Sequence, residues 1–283
     1  MKVGLLVDMS EDFEAKIRHA SSLGFDRGRF TVWNMNFYTD ENLYKLQKIT
    51  DELQFTVSDL WCGWSGPVIW SHPDKYSSLG LVPKQYRAKR LEELRIGGRF
   101  AHKLGIKNIV THTGFIPDDP AAEAHVGVVE SLKILCSELG ERDQSFSFET
   151  GEELPLTLNI VINEIGLPNV GVNFDPANLI SGGRGNPCDA MEMLSPRIFG
   201  MHAKDAVPAK FGETGGKQVP IGEGKVDFDR LIGQLFDAGY NGDIFIEHEM
   251  KNRPDRDGDI IRSKAYLEAI ISRHNGRLRA AAK

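Results

Sequence analysis

The stretch that decides the fold is Asp243–Glu249, which reads DIFIEHE. Successive side chains of a β-strand point to opposite faces, so Phe245, Glu247 and Glu249 share one face and the two isoleucines share the other. The isoleucine face suits an apolar layer, which puts Glu247 on the opposite side at the end of a buried strand. A carboxylate in such a place is costly unless a cation or a hydrogen-bond donor accompanies it. The stretch therefore predicts a strand that ends in a functional carboxylate.

The same pattern of a short apolar run recurs along the chain of 283 residues, and amphipathic helical segments separate the runs. Strands are predicted at Val3–Asp8, Arg29–Trp33, Phe55–Leu60, Lys107–His112, Ser145–Glu149, Val170–Asp175, Arg197–His202 and Asp243–Glu249. Eight strands, each followed by a helix, predict a closed (β/α)8 TIM barrel rather than an open doubly wound sheet. A dinucleotide-binding sheet is disfavoured because no strand leads into a GxGxxG turn.

No linker or low-complexity block interrupts the alternation, so we expect residues 1–283 to form a single domain. Ser10, Thr39 and Asp227 are the predicted N-caps of three helices. Another helix is expected to begin at Asp119-Pro120. The last helix is predicted at about 260–273, and a solvated basic tail is expected from about residue 274.

Charge and cysteine usage limit the classes of partner. The net charge is −6 and the pI is near 5.8, so the chain lacks the excess of positive charge that would attract nucleic acid phosphates. No apolar run reaches membrane-spanning length, and no export signal opens the chain. Cys62, Cys136 and Cys188 are odd in number and lack a disulfide or CxxC spacing. These features predict a cytoplasmic protein with neither a nucleic acid nor a membrane partner.

Three other strands end as the last one does. They are SFSFE, which ends at Glu149, GVNFD, which ends at Asp175, and FGMH, which ends at His202. In each strand, alternation puts the final polar side chain on the face opposite the large apolar side chains. In a barrel these positions meet with Glu247 at the C-terminal rim. Three carboxylates and one imidazole suit a divalent cation, with Mn²⁺ or Mg²⁺ favoured and Zn²⁺ or Co²⁺ possible. Taken singly, each residue could instead cap a helix, pair with a lysine or pack in the core.

Further polar and aromatic residues fall on the same rim. His112 is expected to contact substrate, with a fifth metal ligand or simple packing as alternatives. Trp61 and Trp64 are assigned to the loop after the third strand, where they would stack on a sugar or pack over the barrel mouth. Lys204 and Asp205 would contact a hydroxyl or phosphate group, or pair with each other. Glu249 lies one pleat beyond Glu247, where it is expected to position the residues of the site, and it is also a candidate substrate contact.

The rim loops also carry basic side chains, at Arg184, Lys210 and Lys217. They are candidates for a substrate phosphate, although solvated surface charge is the simpler interpretation.

Several stretches of the C-terminal half together resemble the xylose isomerase-like TIM barrels, a superfamily of sugar phosphate isomerases and epimerases. They are Phe148–Glu153 (FETGEE), Asn173–Asn178 (NFDPAN), His202–Asp205 (HAKD), Gly222–Phe228 (GEGKVDF) and Ile246–Glu249 (IEHE). The superfamily includes ketose 3-epimerases, inosose dehydratase and endonuclease IV-type AP endonucleases.

The resemblance to the ketose epimerases implies one metal ion held by Glu149, Asp175, His202 and Glu247. It also implies that Glu149 and Glu247 are the acid/base pair that moves a proton beside a ketose carbonyl through an enediolate. The epimerases have a histidine three residues after the aspartate. Asn178 stands there in this chain, and it is a candidate substrate contact.

The expected function is therefore metal-dependent epimerisation or isomerisation of a ketose or ketose phosphate. The alternatives are an inosose-type dehydratase, an AP endonuclease-like hydrolase and a non-catalytic sugar-binding barrel. The resemblance further implies a small-molecule carbohydrate substrate and a homodimer or homotetramer.

Overall fold

Eight parallel strands close into a barrel, which confirms the predicted (β/α)8 TIM barrel. The computed structural model describes residues 1–281, with side chains through residue 276. The strands are β1 Val3–Asp8, β2 Arg27–Val32, β3 Thr56–Cys62, β4 Asn108–Thr111, β5 Ser145–Glu149, β6 Val170–Phe174, β7 Ile198–Ala203, β8 Asp205–Val207, β9 Lys217–Val219 and β10 Ile244–Ile246. The order around the barrel is β1-β10-β7-β6-β5-β4-β3-β2, and strands β8 and β9 form a separate antiparallel hairpin after β7.

Helices separate the strands and cover the outside of the barrel. They are α1 Phe13–Ser22, α2 Asp40–Leu53, α3 Lys75–Ser78, α4 Lys84–Lys103, α5 Glu123–Gly140, α6 Pro155–Ile165, α7 Pro176–Ser181, α8 Pro187–Leu194, α9 Phe228–Asp237 and α10 Arg256–Ala281. Short 3₁₀ turns occupy Met35–Phe37 and Ser195–Arg197. Within residues 1–281, none of these helices has the length and apolar composition needed to cross a bilayer.

The predicted helix starts had mixed outcomes. Thr39 Oγ1 accepts from Asn42 N at 3.1 Å and Asp227 Oδ1 accepts from Arg230 N at 3.0 Å, so both caps are confirmed. The Ser10 cap is wrong, because Ser10 Oγ donates to Asp12 Oδ1 at 2.6 Å and α1 begins only at Phe13.

Two helix boundaries also differ from the prediction. Helix α5 begins at Glu123 rather than at Asp119-Pro120. Helix α10 runs from Arg256 to Ala281 and so includes most of the predicted basic tail, whereas residues 282–283 lie outside the described part.

The strands present an apolar face to the helices and a polar face to the barrel interior. The side chains that alternation assigned to the helical layer, Phe146, Phe148, Val172 and Phe174, are fully buried. Burial of each such side chain contributes about 1.5–3 kcal/mol. This outward packing fixes which residues point inward along the same strands.

A hydrogen-bonded layer fills the middle of the barrel. Arg29 is fully buried, with Nη2 3.2 Å from Asp59 Oδ2, and its Nη1 donates to Asn173 Oδ1 at 2.5 Å. Asn108 Nδ2 donates to Asp59 Oδ1 at 2.5 Å, and Ser147 Oγ donates to Asn108 Oδ1 at 2.8 Å. The strand residues one pleat further along stand above this layer, at the C-terminal rim.

The hairpin of β8 and β9 holds the end of β10 in place. Gln218 Nε2 donates to Glu247 O at 2.7 Å, and Glu249 N donates to Gln218 Oε1 at 3.0 Å. Glu247 N also donates to Ala203 O at 3.0 Å, although β10 itself ends at Ile246, earlier than the predicted Glu249. Glu247 is therefore anchored through its backbone from two sides.

Asp205 organises the loop that follows the hairpin. Its Oδ2 accepts from Gly222 N and Gly224 N, both at 3.0 Å, and its Oδ1 accepts from Val226 N at 3.0 Å. The carboxylate is fully buried among these backbone donors. The alternative in which Asp205 pairs with Lys204 is therefore wrong.

Candidate metal centre

The four predicted strand-end side chains come together at the C-terminal rim. Each offers one ligand atom, and these atoms all lie within 4.8 Å of one another. We call them the strand-end cluster, which consists of Glu149, Asp175, His202 and Glu247. Glu149 ends β5, His202 lies in β7, and the two other carboxylates directly follow β6 and β10. The fold thus converges residues that are up to 98 positions apart in the chain.

His202 lies among the three carboxylates. Its Nδ1 is 3.1 Å from Glu149 Oε1, 3.0 Å from Glu247 Oε2 and 3.7 Å from Asp175 Oδ2. Within the described residues, His202 Nε2, Asp175 Oδ2 and Glu247 Oε2 are buried and have no hydrogen-bond partner of good geometry. Buried polar atoms without partners are rare in folded proteins. Converging carboxylate oxygens with one imidazole nitrogen form an oxygen-rich donor set that fits a divalent cation.

Neighbouring hydrogen-bond donors hold the carboxylate groups of Asp175 and Glu149 in position. Asp175 Oδ1 caps α7 by accepting from Ala177 N at 2.8 Å and Asn178 N at 3.0 Å, which leaves Oδ2 for the cluster. Trp61 Nε1 donates to Glu149 Oε2. Asn178 Nδ2 donates to Glu149 Oε1 at 3.3 Å. These contacts hold the carboxylates in place before any ligand arrives, which is how the surroundings of a metal site usually orient its ligands.

The charges of the cluster compensate one another. Burial alone would raise the pKa of Glu149, but the adjacent His112 and His202 lower it to about 2. Burial also opposes ionisation of Glu247, yet Lys204 and His202 bring its pKa below the usual range. Burial keeps the pKa of Asp175 raised despite Lys204 nearby. The two glutamates are therefore ionised at neutral pH, the state that a ligand or a general base requires.

Lys204 is the cation that borders the cluster. Its Nζ lies 3.3 Å from Glu247 Oε2, 3.9 Å from Asp175 Oδ2 and 2.5 Å from Glu249 Oε2. Burial would lower the pKa of Lys204, but these carboxylates, Glu247 first, raise it well above its ordinary value. Glu249 thus contacts the site through Lys204, while much of its own side chain is exposed.

His112 connects the cluster to two acidic residues that the sequence analysis did not single out. His112 Nε2 is 3.5 Å from Glu149 Oε1, and Nδ1 is 2.6 Å from Glu152 Oε2. Burial would lower the pKa of His112, but Glu152 and Glu149 raise it to about 10. Beside it, burial and Glu152 raise the pKa of Glu153 to about 8. Strand alternation could not place these two glutamates because they follow the end of β5; their presence in the FETGEE stretch was the available signal.

A cavity of about 860 Å³ opens above the cluster. Five of the predicted substrate contacts line it, namely Trp61, His112, Asn178, Lys204 and Glu249, together with the two glutamates of the cluster. Asp175 and His202 are fully buried at its floor.

Several predicted rim residues do not line this cavity. Trp64 packs behind Trp61, with the two rings 6.1 Å apart; Trp61, which does line the cavity, belongs to β3 rather than to the predicted loop. Arg184 lies over the ring of Phe115, at 5.1 Å from its centroid. Lys217 pairs with Glu213 at 3.4 Å. Lys210, like Arg184 and Lys217, is absent from the lining, which leaves these three basic side chains outside the site.

Comparisons with known proteins agree with this fold. An L-ribulose-5-phosphate 3-epimerase UlaE from Shigella boydii serotype 18 is 24% identical over 271 residues, covering 91% of this chain and 89% of that protein. A xylose isomerase domain protein from Planctomyces limnophilus has a crystal structure that superposes with a TM-score of 0.90 at 26% identity, covering 97% of this chain and 98% of the other.

A xylose isomerase-like TIM barrel protein from Mycobacterium smegmatis, solved in complex with magnesium, shares the fold with a TM-score of 0.73 at 16% identity. The alignment covers 96% of this chain and 97% of that one. The family model of the xylose isomerase-like TIM barrel matches residues 17–270. The chain belongs to the xylose isomerase-like TIM barrel family.

Proposed function

We propose that the protein is a metal-dependent epimerase or isomerase of a ketose or ketose phosphate. The observation that carries the proposal is the strand-end cluster, which converges three carboxylates and an imidazole at the floor of a cavity. The epimerase name of the UlaE relative and the magnesium in the Mycobacterium smegmatis protein support the same reaction class and a divalent ion. We propose Mn²⁺ or Mg²⁺ because most of the donors are oxygens, with Zn²⁺ or Co²⁺ as alternatives.

The bound ion would polarise the carbonyl of the ketose and so make the neighbouring C–H bond more acidic. Glu149 and Glu247 are the acid/base pair in this proposal. They come from β5 and β10, which two other strands separate around the barrel, so they approach the cavity floor from different directions. Glu149 takes the proton from one side of the sugar carbon, and Glu247 returns a proton from the other side. Removal of the proton from C3 of a 2-ketose and return to C3 from the opposite side gives the epimer. Removal from C1 and return to C2, with the hydroxyl proton passing from O2 to O1, gives the aldose.

Side chains around the cluster would hold the sugar hydroxyl groups. Lys204 offers an ammonium group to an oxygen, with Glu249 maintaining its position at 2.5 Å. The His112–Glu152 pair and the Asn178 amide provide donors and acceptors on the wall of the cavity. Trp61 provides an apolar surface beside Glu149. We further propose a small-molecule carbohydrate partner, a homodimer or homotetramer and a cytoplasmic location.

The direct test is hydrogen exchange with solvent. The manganese-loaded protein is incubated in D₂O with a panel of ketoses and ketose phosphates, and carbon-bound deuterium is followed by NMR and mass spectrometry. We expect deuterium at the carbon beside the carbonyl of at least one ketose, with a new epimer or aldose. Glu149→Gln should abolish this exchange, because an amide cannot take up the proton. The control variant Glu141→Gln makes the same change at an exposed residue directly after α5 and should retain the exchange.

Other outcomes of the same experiment would replace the proposal. A product lighter by one water identifies a dehydratase, in which a neighbouring hydroxyl leaves. Binding without deuterium uptake identifies a non-catalytic sugar-binding barrel. In a separate assay, cleavage of abasic DNA would identify a hydrolase. We do not propose that activity because residues 1–276 contain one candidate metal-ligand cluster and the chain is acidic.

A further inference from the structure

All four tryptophans of the chain gather on one side of the cavity. The rings of Trp33 and Trp61 are 4.7 Å apart, and Trp64 packs behind them, 5.3 Å from Trp33. Trp70 comes from the long segment between β3 and α4, and its ring lies 5.3 Å from the ring of His112. Three of the four indoles line the cavity, and Trp64 supports them from behind. This arrangement gives the cavity an aromatic wall, which we define as Trp33, Trp61 and Trp70.

Trp70 is the outermost member of this wall and is incompletely packed. Its side chain is 46% exposed, whereas Trp61 and Trp64 are each 4% exposed. Tryptophan is highly buried on average, so a half-exposed indole at a cavity mouth is a surface available to a ligand. The segment between β3 and α4 carries Trp70 to the cavity, which it lines.

Trp70 lies farther from the strand-end cluster than Trp61 does. Trp61 touches Glu149 directly, whereas Trp70 is separated from that carboxylate by the whole imidazole of His112. A ketose on the cluster would lie against Trp61 and leave the Trp70 end free. The cavity volume of about 860 Å³ is near the top of the range of about 300–1,000 Å³ for small-molecule sites. There is room for a second ring beside the reacting one.

The charges of the lining favour a ring over a phosphate at this outer end. Among the lining lysines and arginines of the described chain, Lys204 is the buried one, and its ammonium group already contacts Glu249 at 2.5 Å. Lys75 lies over the ring of Phe115, 5.0 Å from its centroid. Lys251 and Arg256 are exposed at the mouth. No pair of buried, convergent cations of the kind that grips a phosphate faces Trp70 in residues 1–276.

We propose that the substrate is a ketose that carries a second, glycosidically linked sugar ring, and that this ring stacks on Trp70. The inference rests on the proposed function, because it takes the reacting ketose to lie on the strand-end cluster. A sugar ring presents a flat face of C–H groups, and an indole offers a large apolar surface with one polar edge. Trp70 is thus a specificity-determining residue for substrate length.

Binding measurements with three ligands of one ketose test this inference. Fructose is compared with isomaltulose, a fructose that carries a glucosyl ring on O6, and with fructose 6-phosphate. Each is titrated into the manganese-loaded protein by calorimetry. We expect isomaltulose to bind about tenfold more tightly than fructose, and Trp70→Ala to remove most of that ratio.

Two variants control the measurement. Trp70→Phe keeps a ring and should keep most of the ratio, which separates stacking from a general disturbance of the segment. Tyr44→Ala removes an exposed aromatic side chain from α2, on the outside of the barrel, and should leave the ratio unchanged.

Equal affinities for fructose and isomaltulose overturn the inference, and so does failure of both to bind. Tighter binding of fructose 6-phosphate than of isomaltulose overturns it in favour of a phosphate subsite. Because binding requires no turnover, selective binding of isomaltulose without deuterium exchange would refute the proposed reaction and leave the second-ring subsite standing.

Discussion

Glu153 should make the stability of the fold depend on pH in an unusual direction. Its side chain is 3% exposed, and within the described residues neither carboxyl oxygen has a hydrogen-bond partner. Burial and the neighbouring Glu152 raise its pKa from 4.5 to about 8. Since the folded protein holds this proton more tightly than the unfolded chain, protonated Glu153 stabilises the fold at low pH. That contribution is lost as the pH rises from about 4.5 through about 8.

The perturbation that reveals this effect is Glu153→Gln, which keeps the shape of the protonated acid and cannot ionise. One pH unit of difference in pKa corresponds to 1.36 kcal/mol. The difference between 4.5 and about 8 therefore gives a loss of about 4 kcal/mol in the wild type between about pH 5 and pH 8.5. The variant lacks this loss, so the two proteins should be about equally stable at pH 5, and the variant should be the more stable one at pH 8.5.

The assay is urea unfolding of both metal-free proteins at several pH values, followed by circular dichroism. Only the difference between the two free energies of unfolding is interpreted, because other groups titrate equally in both proteins. The slope of that difference should approach about 1.4 kcal/mol per pH unit near pH 6–7. Parallel curves for the two proteins would refute the reasoning, because they would mean that Glu153 ionises equally easily in the folded and unfolded states.

Two further predictions concern other buried charges. Lys204→Met should raise the KM of the ketose about tenfold to a hundredfold, because a charged hydrogen bond contributes about 1.5–3 kcal/mol, and an unchanged KM would remove Lys204 as a substrate contact. Arg29→Met should lower the free energy of unfolding in urea by about 3–5 kcal/mol. In the wild type Arg29 Nη2 lies 3.2 Å from Asp59 Oδ2, and in the variant Asp59 would remain buried without this partner. Adding Asp59→Leu should recover part of that loss, and strictly additive effects of the two changes would contradict a direct ion pair.

The sequence predicted the barrel and its strand-end cluster because alternation is readable where strands are buried on both faces. In SFSFE the two phenylalanines must face the helices, so Glu149 must face inward. The same rule placed Asn173 with Asp175 on the inner face of β6, and the bond from Arg29 to Asn173 confirms this orientation. Local patterns were sufficient because the alternation within each strand shows which of its side chains face the barrel interior.

Prediction failed where the strand pattern stops. Glu152 and Glu153 follow β5, so no period assigns them a face, and only the fold brings them to His112. The third strand is predicted to end at Leu60, with Trp61 in the following loop, whereas β3 continues to Cys62 and includes Trp61. The hairpin of β8 and β9 has strands of three residues each, too short to show an alternation.

The central claim is that the strand-end cluster holds one divalent ion, and titration calorimetry of Mn²⁺ into the metal-stripped protein tests it most directly. We expect one ion to bind per chain, and we expect His202→Ala to weaken binding by at least about tenfold, because it removes the one nitrogen donor of the cluster. His102→Ala, at an exposed histidine near the end of α4, should bind as the wild type does. Absence of stoichiometric binding, or equal affinity in His202→Ala, would contradict the account.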